Sequence, residues 1–236
     1  MDIDDASDAD IPILQEIYTE RILSEDLLWS MQTDTSARRE FAVRGGFLSD
    51  DGPDLDFIAR YLHPVGTIKV ARDEQTVTGF FSIMTDPELV AEQCQHEYGV
   101  DRNVNYASES RLPCESEAGC LEWGDAALAM NILNSPNRIA LAGLLAVRGA
   151  QPPWLPYNLA KTACNSLTGD WLLAQIYEIT SVDGQSVEPP VTNEASLGIA
   201  RALHGQVIGR LLKEVRHADG ITVGVSALIL AVPTCV

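Results

Sequence analysis

Two long apolar runs constrain this chain more than any other feature: Ile139-Ala140-Leu141-Ala142-Gly143-Leu144-Leu145-Ala146-Val147, and Leu172 to Val182. A strand that is apolar on both sides has to be covered on both of its faces, which is the usual condition of a central strand in an α/β sheet. The connection between the runs passes through a proline-rich turn (Pro152, Pro153, Pro156) and a segment of helical character from Tyr157 to Leu167. Two buried strands joined by a helical crossover are expected to lie side by side and parallel.

The remaining segments fit around that pair. The opening reads as a brief strand with Ile3 buried, and Asp10 before Ile11-Pro12 reads as a carboxylate N-cap with proline in the first helical turn. Ile13, Leu14, Ile17, Tyr18, Arg21, Ile22 and Leu28 continue at helical spacing, and residues 10–62 are expected to be helical, with a break at Gly45-Gly46 and another at 49–53. Thr67–Glu74 and Thr76–Met84 alternate as an antiparallel hairpin around an acidic turn. After a loop containing Pro189-Pro190 come a helix from Asn193 and two strands, Val207–Val215 and Ile221–Leu230, joined at Asp219-Gly220. The expected class is α/β with a mixed (α+β) central sheet flanked by helices, in one domain over residues 1–236. Residues 86–137 are polar apart from Ala126–Leu133 and interrupt the hairpin connection, so they are expected to be an insertion outside the common sheet, between its third and fourth strands, removable without loss of folding.

Composition excludes several classes of function. The formal charge of −18, from 34 acidic and 16 basic residues, is opposed to nucleic-acid binding, which needs cationic patches. The charge leaves two readings, steering of a cationic amine or plain solubility. Acidic residues at 2, 4, 5, 8 and 10 stand where a secretory signal needs basic ones, and the apolar run 221–232 is too short for a membrane helix, so a soluble cytoplasmic protein is expected. Five cysteines without paired spacing support neither a disulfide framework nor a zinc ribbon; Cys94, His96, Cys114 and Cys120 cluster in sequence, yet no metal site is expected.

Three segments together resemble the GNAT superfamily of acyl-CoA-dependent N-acyltransferases. They are the opening phrase Met1 to Pro12, the hairpin with Val77-Thr78-Gly79-Phe80, and the stretch from Asn193 to Arg210, with its Asn-x-Ala-Ser helix, Leu203-His204-Gly205 turn and Val207-Ile208-Gly209-Arg210 strand. The resemblance implies transfer of an acetyl or other acyl group from acetyl-CoA or another acyl-CoA to a small amine, without nucleic acid or membrane; a homodimer is left open. The alternative, equally compatible with the fold, is a non-catalytic GNAT-like module that binds a ligand or a protein partner.

Acyl transfer from a thioester needs anchorage for a diphosphate, a polar cradle for the thioester and a route for protons. Position-matching to the family assigns the cradle to main-chain groups of Leu145, Ala146 and Val147. It assigns the diphosphate loop to residues 155–161, with Tyr157, Asn158, Leu159, Ala160 and Lys161 as cofactor-binding residues. Of these only Ala160 fits the glycine-rich pattern, Pro156 lacks an N–H, and Arg148 and Lys161 are candidates for compensating charge. The alternative for this segment is a plain strand-to-helix turn. Asn193 either contacts the cofactor or caps its helix. The family's tyrosine acid is replaced by Ala200, and His204 stands at a family glycine. For proton transfer the candidates are Glu178 and Tyr177, with a glutamate reaching solvent at the sheet margin as the alternative.

Overall fold

The computed structural model describes residues 1–48, 66–101, 112–135, 138–149, 151–217 and 220–234. The expected break at 49–53, the helical stretch that follows it to residue 62, and the turn residue Asp219 lie outside them. Elements run in the order β1 (Asp2–Asp5), α1 (Ile11–Thr19), α2 (Glu25–Ser30), α3 (Thr35–Arg44), β2 (Gly66–Asp73), β3 (Thr76–Met84), α4 (Pro87–Tyr98), β4 (Cys120–Trp123), α5 (Ala126–Leu133), β5 (Ile139–Val147), α6 (Trp154–Ser166), β6 (Trp171–Val182), β7 (Gln185–Thr192), α7 (Glu194–Ala202), β8 (Gln206–Arg216) and β9 (Thr222–Pro233). Among the described residues the sheet has nine strands in the order β1-β2-β3-β5-β6-β9-β8-β4, with β7 also paired to β6. Every pairing is antiparallel except β5 with β6, the two apolar runs, which are parallel neighbours joined through α6 as the sequence requires.

Buried residues fall into three clusters that define the two faces of the sheet. On the first face, α1 packs Leu14, Ile17 and Tyr18 against Ile68, Val70, Phe80 and Ala146. Further along the same face, α2 to α5 pack against Leu173, Ile179, Leu211 and the odd-numbered residues of β9. The opposite face is a single cluster in which Leu155, Leu159, Ala160 and Ala163 of α6 and Leu197 and Ala200 of α7 cover Phe81, Leu172, Ile176, Leu228 and Leu230. The sheet is therefore covered continuously on one face and in two separate halves on the other.

Four expectations need correction. The 86–137 segment is not outside the sheet: β4 pairs with β8 at the edge, and Val90, Cys94, Tyr98, Leu121, Ile132 and Leu133 are buried in the larger cluster of the first face. Its polar composition hid α4, although the helix has clear ends: Asp86 accepts from the amides of Glu88 and Leu89, Pro87 opens the first turn, and Gly99 closes it at φ 64°. The stretch read as a proline-bearing loop is β7, where Val187 and Val191 point inward and the prolines are tolerated on an edge strand. Helix α6 begins at Trp154, a turn earlier than expected.

Asp10 does not cap α1. Its carboxylate accepts from the Ser7 N–H at 2.8 Å and the Ser7 hydroxyl at 2.9 Å, and takes two guanidinium bonds from Arg72 at 2.8 and 2.9 Å. This ties the turn before α1 to β2. The Arg72 hydrogen bonds, helped by Ser7 and opposed by burial, hold the carboxyl down at about 2. Because its folded value lies below the ordinary ~3.9, the stabilisation is complete above about pH 4 and is lost as pH falls through 2. Asp10→Asn should cost about 2 kcal/mol at neutral pH. In acid denaturation the gap between variant and parent should close between about pH 4 and 2; a gap that persists there assigns the effect to packing instead.

Candidate active site

The parallel pair does not stay paired. β5 and β6 are in register from Ile139, Ala140 and Leu141 to Trp171, Leu172 and Leu173, and the pairing ends there. Its cause is on the other side of β5, where the register with β3 slips between Phe81 and Ile83, so that Gly143 and Leu144 together oppose Ser82. Ser82 is 1% exposed and its hydroxyl accepts the Leu144 N–H at 2.7 Å, which satisfies the amide that the slip strands. A bulge of this kind bends its strand. Beyond it β5 follows β3 and leaves β6, whose far end is instead paired with β7. Ala142, Gly143, Leu144, Leu145 and Val147, mid-sheet by strand order, are accordingly only half-buried.

Ladder alternation tells which main-chain groups face the gap. Arg148 donates its N–H to the Thr78 carbonyl at 2.8 Å, so with Phe80 opposite Ala146 the Ala146 main chain belongs to the β3 ladder. The N–H and C=O of Leu145 and Val147 then point into the gap. Across it, the Asn193 N–H closes the Tyr177 carbonyl at 3.1 Å, and two residues earlier the Gln175 main chain faces the opening. Of the three expected cradle residues, geometry therefore favours Leu145 and Val147 and turns Ala146 away.

The expected diphosphate loop is built differently from the sequence expectation. With α6 starting at Trp154, the amides of Tyr157, Asn158, Leu159, Ala160 and Lys161 sit inside the helix rather than at its open end. Of the four N-terminal positions, Pro153 and Pro156 have no N–H and the Leu155 N–H is bonded to the Pro152 carbonyl at 3.0 Å. Only the Trp154 amide is left. Arg148 is engaged by Glu16 and, at 2.7 Å, by Glu20 of α1, and the Lys161 ammonium lies 5.9 Å from the centre of the Tyr157 ring.

Tyr177 and Glu178 do not share a site, because neighbours on a strand point to opposite faces. Glu178 is on the α7 side, where it accepts from Thr192 at 2.9 Å and Ser226 at 3.1 Å and pairs with Arg210 at 3.0 Å. That is a carboxylate locked into the sheet. Tyr177 is on the first face, with the Lys213 ammonium 5.2 Å from its ring centre. There α4 adds residues that the polar composition of the segment concealed: Glu97 accepts from Gln175 at 3.0 Å and Lys213 at 3.3 Å, and the Tyr98 hydroxyl lies 3.3 Å from Gln175. Burial and the nearby Cys94 and Glu97 push the Tyr98 phenol up, and burial pushes the Cys94 thiol up to about 12, so neither ionises near neutrality.

Asn193 caps α7, accepting the Ser196 N–H at 3.1 Å. Ala200, on α7, is buried in the cluster of the opposite face. His204 adopts φ 62°, the left-handed conformation that a glycine provides without strain. Cys94 faces the core while His96 faces outward to Glu117 at 3.0 Å, and among the described residues no group of His, Cys, Asp and Glu is placed to hold a metal ion. None of the described helices is long and apolar enough to cross a membrane.

The architecture has relatives among solved structures. The fold is a mixed α/β sheet flanked by helices. The chain is similar to smu.2055 from Streptococcus mutans UA159, with a TM-score of 0.51, 14% identity, and coverage of 99% of both chains. It is also similar to a ribosomal-protein-alanine N-acetyltransferase from Brucella melitensis (TM-score 0.47, 14% identity, covering 97% of this chain and 99% of that one). A third is an aminoglycoside 6'-N-acetyltransferase from Enterococcus faecium (0.49, 10%, 100% and 98%). No family model matches the sequence, and no curated protein does.

Proposed function

We propose that this chain transfers an acyl group from acetyl-CoA or another acyl-CoA to a small amine, with the pantetheine arm of the donor lying in the gap between β5 and β6. The observation that carries this reading is the early separation of the parallel strands β5 and β6, which leaves strand main chain at Leu145, Val147 and Gln175 facing an opening in the middle of the sheet. Pantetheine is an extended chain with two amides, and an opened strand edge offers it the donors and acceptors that a neighbouring strand would. The thioester supplies an activated acyl group with a good leaving thiol.

The residues divide the work by face. Leu145 and Val147 hold the donor through main chain, α6 and α7 close the opposite face, and the amine enters on the first face, where the two apolar clusters part. Tyr177 stands on that face and is the proton-handling candidate, while Glu178 holds β6, β7, β8 and β9 together. Alignment of amine and thioester is the main catalytic contribution, since fixed geometry alone supplies a large share of the barrier reduction in bimolecular transfers.

The loss of helix-terminal amides at α6 and of the tyrosine acid at Ala200 favours a second reading, a non-catalytic module that holds a ligand in the same gap. A thiol-release assay with acetyl-CoA and a panel of small primary amines separates the two. Turnover that needs both substrates is the expected result. No release with any amine, alongside measurable donor binding, would establish the binding module.

A further inference from the structure

Resting on the acyl-transfer reading, we infer that the donor is recognised through its pantetheine arm and acyl group, and that its nucleotide diphosphate contributes almost nothing, so that thioesters of pantetheine lacking the nucleotide serve this protein as well as those of CoA. The two ends of the donor meet very different surfaces. Along the arm, the gap presents the main-chain groups of Leu145, Val147 and Gln175. Where β5 leads into α6, the provisions for phosphate among the described residues are absent or already engaged, except for the Trp154 amide.

A helix N-terminus attracts phosphate because several amides point at the ligand and the helix dipole adds to them. Here two of the four amides are removed by Pro153 and Pro156, and a third is bonded to Pro152. The amides of residues 157–161 are turned into the helix. The one residue there whose amide is left, Trp154, carries a bulky indole and is 49% exposed. Neither nearby cation compensates. Arg148 is held by two carboxylates of α1, and freeing it leaves Glu16 and Glu20 facing an incoming anion. Lys161 lies about two turns into the helix, its ammonium 5.9 Å from the centre of the Tyr157 ring. The net charge of −18 opposes approach of a phosphate-rich nucleotide at longer range. The fold keeps the cleft for the arm and has lost the anchor for the nucleotide.

Calorimetry on the full chain tests this with three probes: CoA, pantetheine, and adenosine 3′,5′-bisphosphate. CoA and pantetheine should bind with dissociation constants within about 5-fold of each other, and the bisphosphate should show no heat at millimolar concentration. The affinity for CoA should hold or rise, and not fall, between about 0.05 and about 0.5 M salt, because no ion pairs with phosphate are formed and salt screens the repulsion by the net charge. In Pro156→Gly, which restores one amide, CoA should gain about 3- to 10-fold while pantetheine does not change. CoA binding more than about 100-fold tighter than pantetheine, or weakening steeply with salt, overturns the inference and leaves acyl transfer standing. Binding of neither thiol overturns both.

Discussion

A chain in which residues 86–137 are replaced by a short turn should not fold. The replacement deletes α4, β4 and α5, and with them Val90, Cys94, Tyr98, Val100, Leu121, Ala129, Ile132 and Leu133, all buried in one cluster of the first face. It also uncovers Ile208 and Leu211 of β8 and removes the edge strand that pairs residues 209–212. Burial of a large apolar side chain stabilises by about 1.5–3 kcal/mol. Six of the eight are large, and losing them together is comparable to or greater than the net stability of about 5–15 kcal/mol typical of a whole domain. Circular dichroism and gel filtration of the shortened chain should show an unfolded or aggregated product, whereas Ile132→Ala, which removes one of these contacts, should remain folded and lose about 2–5 kcal/mol in urea. A shortened chain with native-like cooperativity would show that the segment is an appendage after all.

Val147→Pro should weaken donor binding by about 10- to 100-fold, the cost of one lost hydrogen bond that leaves its partner unsatisfied. The position is informative because the Val147 N–H faces the gap rather than the β3 ladder, so proline removes a ligand contact without removing a sheet bond. Val147→Ala keeps the N–H and should bind nearly as well as the parent. The corresponding change at Ala146 should behave oppositely, disrupting the pairing with Phe80 and lowering stability. If Val147→Pro and Val147→Ala lose affinity equally, the side chain and not the main chain carries the contact.

Much of the architecture is legible in the sequence because its signals are local. Nine consecutive residues without charge, Ile139 to Val147, read as a strand covered on both faces, and the two β-rich runs around an acidic turn in residues 67–84 read as a hairpin. The connection of α6 is equally plain, since its apolar positions recur at helical spacing. The gap is not legible in this way. It depends on a register slip against β3 that a single hydroxyl, Ser82, makes affordable, and neither Gly143 nor Ser82 signals it alone.

The errors have identifiable physical causes. Helix α4 was concealed because Glu88, Glu92, Gln93 and Gln95 dilute its apolar positions, though Val90, Ala91, Cys94 and Tyr98 still make one buried stripe between Asp86-Pro87 and Gly99. Tyr177 and Glu178, both candidates for proton transfer beside the strand separation, are directed to opposite faces by strand geometry. The start of α6 was misplaced because prolines read as turn residues, yet Pro153 and Pro156 occupy the N-cap and the first helical turn, where a missing N–H costs the helix nothing.

The central claim, that a donor lies along the opened edge of β5, is tested most directly by residue-resolved amide hydrogen exchange with and without acetyl-CoA. In the free protein the amides of Leu145 and Val147 should exchange faster than that of Ala146, which the β3 ladder protects. Addition of acetyl-CoA should slow Leu145 and Val147 strongly and leave residues 157–161 unchanged. Protection of residues 154–161 with none at Leu145 and Val147 would place the donor on the helix rather than in the gap and contradict the account.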